Sequence, residues 1–425
     1  MLPPELLDAV FGQLVLPQKG RQTTSYWDKE NLSSCALVCH TWTALAQPYL
    51  FRHVSYALKH DSDEDSDEDW DEDWDEDLDE GEDLEEQCDA RAALHNVLEF
   101  YVEHCHLAAH VRQLSLETVR TGGYGHSSRW IISPETGYQE PSVFMNTLQT
   151  FPRLQRLSLR DVFTTSPLGN PDRKPISLQS LTIVSEQDMI MPYRDVANLL
   201  TFFEEVDVLH IAVTSHPSEE HHVSQPIAVR NVTAKHPTSR SLFRSLALPP
   251  SAHCLQSLTL EKLNFALPAE IQRLLEATKS NLTRLSLSFG IFARDDRFWV
   301  DRNHESAPLC LASCHSLKSL ELSVRVAGPP TWKDLWSILA TLSPDTSRAL
   351  EDITVVLRRP SRFVLDTAWA LSDVATLHST YATLSRLSDG ASFRRFVVRE
   401  MRVGRGWDDK EIFPEPLRSR LRALQ

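Results

Sequence analysis

Few of the residues able to do chemistry stand at spacings that would let them do it. Cys310-x3-Cys314-His315 and His104-Cys105-His106 bring thiols and imidazoles close in sequence. A structural zinc, however, needs two paired ligand sets, and neither cluster has a second half nearby. Both read as core or surface residues, and no metal is expected. The glycines of Gly122-Gly123-Tyr124-Gly125 lack the preceding strand and following helix that would aim them at a phosphate, so they read as a loop. No P-loop, dinucleotide glycine motif, nucleophile elbow, HExxH or kinase pattern occurs, so no cofactor and no catalytic activity are expected.

The most unusual stretch is acidic. Residues 61–86 hold 19 Asp and Glu and no Lys or Arg, against a net charge of −16 for all 425 residues, so the remainder is nearly neutral. Overall acidity therefore says nothing about partners of the rest. A four-residue period places Ser62, Ser66, Trp70, Trp74 and Leu78 at matching positions. Like charges at i,i+4 disfavour a helix, which predicts a disordered tether in water. With a basic partner to neutralise them, Trp70, Trp74 and Leu78 would share one helix face. Ser62 and Ser66 each precede an acidic triplet, resemble sites of casein-kinase-type kinases, and are candidates for phosphorylation.

No apolar run reaches the roughly 18 residues of a membrane helix, and no membrane association is expected. The start, MLPPELLDAVFGQLVLP, lacks a basic n-region and carries Glu5 and Asp8, so it reads as a retained helix rather than a signal peptide. Seven irregularly spaced cysteines suit reduced thiols in cytosol or nucleus. The sequons at Asn31, Asn231 and Asn281 are then expected to stay unglycosylated. Arg394, Arg395, Arg418, Arg420 and Arg422 cluster near the C-terminus with few aromatics. They read as a solvated helix face able to meet the acidic tether, and no nucleic-acid partner is expected.

The elements begin with Pro3-Pro4, suited to a helix start, followed by Leu6, Leu7, Val10, Phe11 and Leu14 at helical spacing. Asn31 is a fit N-cap for a second helix along Leu32, Cys35, Ala36, Val38, Cys39 and Trp42. A third short segment, residues 44–52, closes the module. Under 60 residues seldom bury enough surface alone, so this module needs something to pack against.

The wording LPPELLDAVFGQL followed by LSSCALVCHTWTALAQPYLFRHV resembles the F-box motif, especially that of basidiomycete F-box proteins. The resemblance implies a three-helix domain docking on the Skp-type adaptor of a Skp–cullin–F-box ubiquitin ligase. It assigns adaptor binding to Leu2, Pro3, Pro4, Leu6, Leu7, Val10 and Phe11 in the first half, and to Leu32, Leu37, Val38, Cys39 and Trp42 in the second. The loop 17–30 between the halves is longer than the family's usual one.

Beyond the acidic stretch the hexad Leu-x-x-Leu-x-Leu occurs at 154–159, 255–260, 282–287 and 317–322, where leucine content alone predicts about one. Degenerate copies stand at Val111-Leu114-Leu116, Leu178-Leu181-Ile183, Val206-Leu209-Ile211, Leu350-Ile353-Val355 and Phe393-Phe396-Val398. Candidate helices at 141–151, 193–205, 269–279 and 332–342 lie between them. The starts 154, 178 and 206, and then 255 and 282, are spaced as leucine-rich repeats are. Strand-helix units of this period bury their apolar faces only by stacking.

The expected fold is therefore α/β: an F-box at 1–56, a disordered acidic linker at 57–90, and an irregular leucine-rich-repeat-like solenoid at 91–425. A doubly wound α/β domain is the alternative for the last part. The expected function is that of a non-catalytic substrate receptor, holding the adaptor, and through it a cullin, at one end and an unknown target protein at the other. A scaffold acting outside ubiquitination is the alternative.

Overall fold

A Leu-x-x-Leu-x-Leu hexad in extended backbone sends its second and third leucines to one face, while the residue between them and those flanking them face the other. The computed structural model follows that rule at hexad after hexad. It describes residues 3–15, 26–59, 99–119, 130–132, 148–160, 162–164, 176–185, 196, 199–213, 227–235, 240–263, 268–289, 309–325, 335, 337–342, 348–359, 382, 394–402 and 406–408. The chain divides into two units, one of residues 1–173 with 178–184 and the other of 174–177 with 185–425.

The first unit opens with three helices, α1 (Pro4–Val15), α2 (Tyr26–Ala36) and α3 (His40–Leu50). The chain then enters β1 (His53–Lys59), which pairs in parallel with β2 (Gln113–Val119), and β2 with β4 (Arg156–Arg160). Next in order comes β6 (Ile176–Val184), again parallel. A separate parallel pair, β3 (Trp130–Ile132) and β5 (Val162–Thr164), lies in the same unit. Leu114, Leu116, Leu157, Leu159, Leu181 and Ile183 form the buried side of the larger sheet. On the opposite side Ser55, Ser115, Ser158 and Thr182 stand in register as a row of hydroxyls.

Among the described residues the second unit carries seven parallel strands: β7 (Phe203–Ala212), β8 (Ala228–Lys235), β9 (Ser257–Leu263), β10 (Arg284–Phe289), β11 (Ser319–Arg325), β12 (Asp352–Arg359) and β13 (Arg395–Arg402). β14 (Gly406–Asp408) adds antiparallel to β13. Strand order within each unit follows chain order. A doubly wound sheet would instead reverse its order at a switch point.

The entries to β2, β4, β6, β10, β11, β12 and β13 repeat one arrangement. The carbonyl of the residue after the first apolar hexad position accepts from two successive N–H groups of the next strand segment. Gln256 O accepts from Thr283 N at 2.8 Å and Arg284 N at 3.0 Å; Thr283 O does the same for Lys318 and Ser319, and Lys318 O for Glu351 and Asp352. Arg52 O, Arg112 O and Gln155 O do so in the first unit. Backbone groups at this bend are thus satisfied within the fold, as buried N–H groups must be. Between β9 and β10 the helix Pro268–Ala277 starts on a proline and buries Ile271, Leu274 and Leu275. Its Gln272 amide brackets the chain leading to β11: Cys310 N donates to Gln272 Oε1 at 2.8 Å, and Gln272 Nε2 donates to Cys310 O at 3.2 Å.

Several expectations change. The second helix ends at Ala36, not beyond Trp42; Leu37, Val38 and Cys39 form a turn, and Trp42 belongs to α3. Asn31 accordingly lies inside α2 rather than at its cap. Apolar spacing missed this because a turn of three residues between two helices keeps the same near-3.5 rhythm. The helix expected at 193–205 gives way to β7 from Phe203 onward. The boundary expected at 56 falls inside β1, so residues 57–59 are strand and the acidic stretch lies between two paired strands of one sheet in chain order. Arg395 sits in β13, not on a helix. One hexad went unseen, Val229-x-x-Val232-x-Ala234 of β8, because it holds no leucine; it divides the long interval between 206 and 255. The acidic tract with Ser62, Ser66, Trp70, Trp74 and Leu78, the glycine cluster at 122–125, Leu2, Phe393, Arg418, Arg420 and Arg422 lie outside the described residues.

Candidate protein-docking surface

α1 carries two apolar stripes one residue apart. Leu7 and Phe11 point inward and are 3% and 1% exposed, while Leu6 and Val10 point outward at 54% and 52%. The helix begins where Pro3 O accepts from Leu6 N and Leu7 N, at 3.1 and 3.2 Å. Leu7, Phe11, Leu32 and Ala46 make the module's core, with Cys35, Ala36, Trp42, Leu45, Tyr49 and Leu50 packed around them. Phe11 meets Trp42 edge to face, with ring centroids 5.7 Å apart, a favourable aromatic geometry. So Leu7, Phe11 and Leu32, counted as contact residues from sequence, hold the helices together from within, and Trp42 is half-buried beside them.

The turn between α2 and α3 is the second projecting element. Leu37 is 87% exposed and Val38 62%, and Cys39 is also exposed. The turn is tied by Leu37 N to Ser34 O (3.3 Å) and Val38 N to Cys35 O (3.1 Å). The Thr43 hydroxyl donates back to Ala36 O at 2.5 Å and lies 3.1 Å from Cys39 O, spanning the turn from its far side. Cys39 is extended at φ −166°, ψ 167°, and its carbonyl accepts from Thr43 N at 2.9 Å, which starts α3.

Among the described residues eight large apolar side chains are exposed, and four of them are Leu6, Val10, Leu37 and Val38. Fully burying side chains of this size contributes about 1.5–3 kcal/mol each, so even partial covering by a partner is a substantial driving force. Residues 1–57 match the F-box-like family model. This segment is an F-box-like domain, and F-box domains generally bind Skp-type adaptors. No curated protein matches the chain.

The other candidate residues are dispersed. Burial pushes the Cys314 thiol up to about 11, so it stays protonated, while Cys310 is half-buried and His315 exposed. His104 shares a 2.8 Å hydrogen bond through Nδ1 with Phe100 O and stacks on the Phe100 ring, beside exposed Cys105 and His106. Among the described residues no three His, Cys, Asp or Glu side chains converge as a metal site. Asn231 and Asn281 donate their amides to Asp207 O and Ala252 O. Thr43 was not singled out in the sequence; nothing in a lone threonine signals that its hydroxyl will reach back seven residues.

Proposed function

We propose that this chain is the substrate-recognition subunit of a Skp–cullin–F-box ubiquitin ligase. The F-box-like domain seats Leu6, Val10, Leu37 and Val38 on a Skp-type adaptor, with Pro3 and Cys39 at the margin and a cullin joined through the adaptor. The strand array is read as an irregular leucine-rich-repeat-like solenoid whose polar strand face receives a target protein. The chain itself performs no catalysis and supplies proximity for subunits that do. A cytosolic or nuclear site of action goes with this role, and the wording of residues 37–54 supports the fungal type of F-box. The observation that carries the reading is the solvent exposure of four large apolar side chains inside a segment matching the F-box-like family.

The test is Leu37→Asp with Val38→Asp. Both positions are exposed, so the free protein keeps its melting temperature, whereas burying a charge without a partner costs several kcal/mol in the complex. Co-purification with the adaptor is expected to disappear. Retention of adaptor by the double variant, or by a further variant adding Leu6→Asp, would overturn the proposal.

A further inference from the structure

Two imidazoles of the first unit share a rigid frame. Helical backbone over 99–103 runs into the short helix Cys105–Ala108, and His104 stands at the junction, at φ −108° and ψ 54°. Both sides of the junction are anchored in the core. Tyr101 is buried with its ring edge to face with Phe151, centroids 5.1 Å apart, and Leu107 and Ala108 are buried on the other side. The His104 carbonyl accepts from Leu107 N at 2.8 Å and Ala108 N at 3.2 Å, which fixes the bend.

The His104 ring is held on two sides. It stacks on Phe100 with centroids 4.5 Å and planes 23° apart, and its Nδ1 lies 2.8 Å from Phe100 O. A carbonyl oxygen can only accept, so Nδ1 carries the proton and the neutral ring keeps a free lone pair on Nε2. Metal-binding histidines are oriented in this way, the other ring nitrogen donating to a carbonyl or carboxylate. The exposed His106 ring lies 6.2 Å from that of His104, centroid to centroid, with planes tilted 55°. A Zn–N bond of about 2.0–2.1 Å puts the metal about 3.2 Å from each ring centre, so one ion can reach both. Closing the pair to a tetrahedral angle needs the rings to approach by about 1 Å, a movement open to an exposed side chain such as His106. Among the described residues no third ligand converges, so this is an open site and not the closed four-ligand site of a structural zinc. We propose that His104 and His106 chelate a divalent transition ion of the Zn²⁺ class, its remaining positions left to water or to a ligand from another molecule. Imidazole favours such ions over Mg²⁺ and Ca²⁺, which take oxygen ligands. Neither histidine belongs to the exposed apolar set, so loss of adaptor capture would leave this inference standing.

The probe is Zn²⁺ alone, titrated by calorimetry into the full-length parent, into His106→Asn, and into the double variant His104→Gln with His106→Asn. The chain has 17 histidines, so bound equivalents are compared between proteins and not read from one. The parent should bind one equivalent more than the double variant. Its melting temperature should also rise further on adding Zn²⁺, because an ion held only by the folded state stabilises that state. His106→Asn changes an exposed side chain and should weaken this equivalent at least roughly tenfold, since the second imidazole no longer acts at high effective concentration. Mg²⁺ should show no difference between the proteins. If the double variant fails to fold, His106→Asn alone decides. Identical Zn²⁺ titrations of parent and His106→Asn would assign the binding to other histidines and overturn the proposal. A difference of equal size with Mg²⁺ would overturn it as well.

Discussion

Leu287 and Leu37 are the same residue type, yet one is sealed within the strand array and the other stands almost wholly in solvent. In the strands the apolar hexad positions from Val111 to Val355 are buried, because the next strand or the connecting helix covers them. In the helical module the outer stripe of α1 and the α2–α3 turn lack such cover. A repeating array completes its own core by stacking, whereas a short helical module leaves a face to be completed from outside.

The sharpest way to break this comparison is to truncate both leucines. Leu287→Ala removes a fully buried side chain and is expected to cost about 2–5 kcal/mol, lowering the melting temperature by many degrees. Leu37→Ala should fall within about 0.5 kcal/mol of the parent in a denaturant titration, while weakening adaptor capture in a pull-down. Similar destabilisation by both would mean that the turn is covered from within the chain. An intermediate effect is expected at Thr43. Thr43→Val keeps the shape but deletes the hydroxyl that spans the turn, a loss of about 1 kcal/mol. Thr43→Ser should restore both stability and adaptor affinity, and failure of serine to rescue would remove the hydroxyl from the account.

Legibility in the sequence followed the same division. Hexads announce strands because each apolar position has one direction to go, and the burial of Leu258, Leu260, Leu285 and Leu287 could be read directly from their spacing. Val229, Val232 and Ala234 bury just as well but escape a search for leucine. In the module the spacing marked the first helix, yet could not separate Leu6 from Leu7 or Val10 from Phe11, since adjacent stripes on one helix share a rhythm. The end of α2 was equally hidden, because it depends on a tertiary hydrogen bond from Thr43. β1 went unread, its residues divided at 56 between the helical module and the linker, because its pairing partner lies some sixty residues away in the chain.

The smallest expected effect concerns the outward face of the strands, which is polar without being fully solvated. His210 lies on that face of β7, in register with Thr233 of β8, and is half-buried. Burial depresses its ionisation below the usual imidazole value, Lys235 adding to the shift and Glu261 opposing it. An unfolded chain then binds the proton more readily than the folded one once the pH drops to about 6.5. Stability is therefore fully present above that pH and declines as the pH falls towards the lower folded value. The urea midpoint of the parent should decrease between pH 7.5 and 5.5 by more than that of His210→Gln, the difference being modest because the ring keeps contact with solvent. Parallel pH dependence in the two proteins would place His210 in ordinary water, and the outward strand face would then resemble the exposed turn of the module more closely than its half-buried side chains indicate.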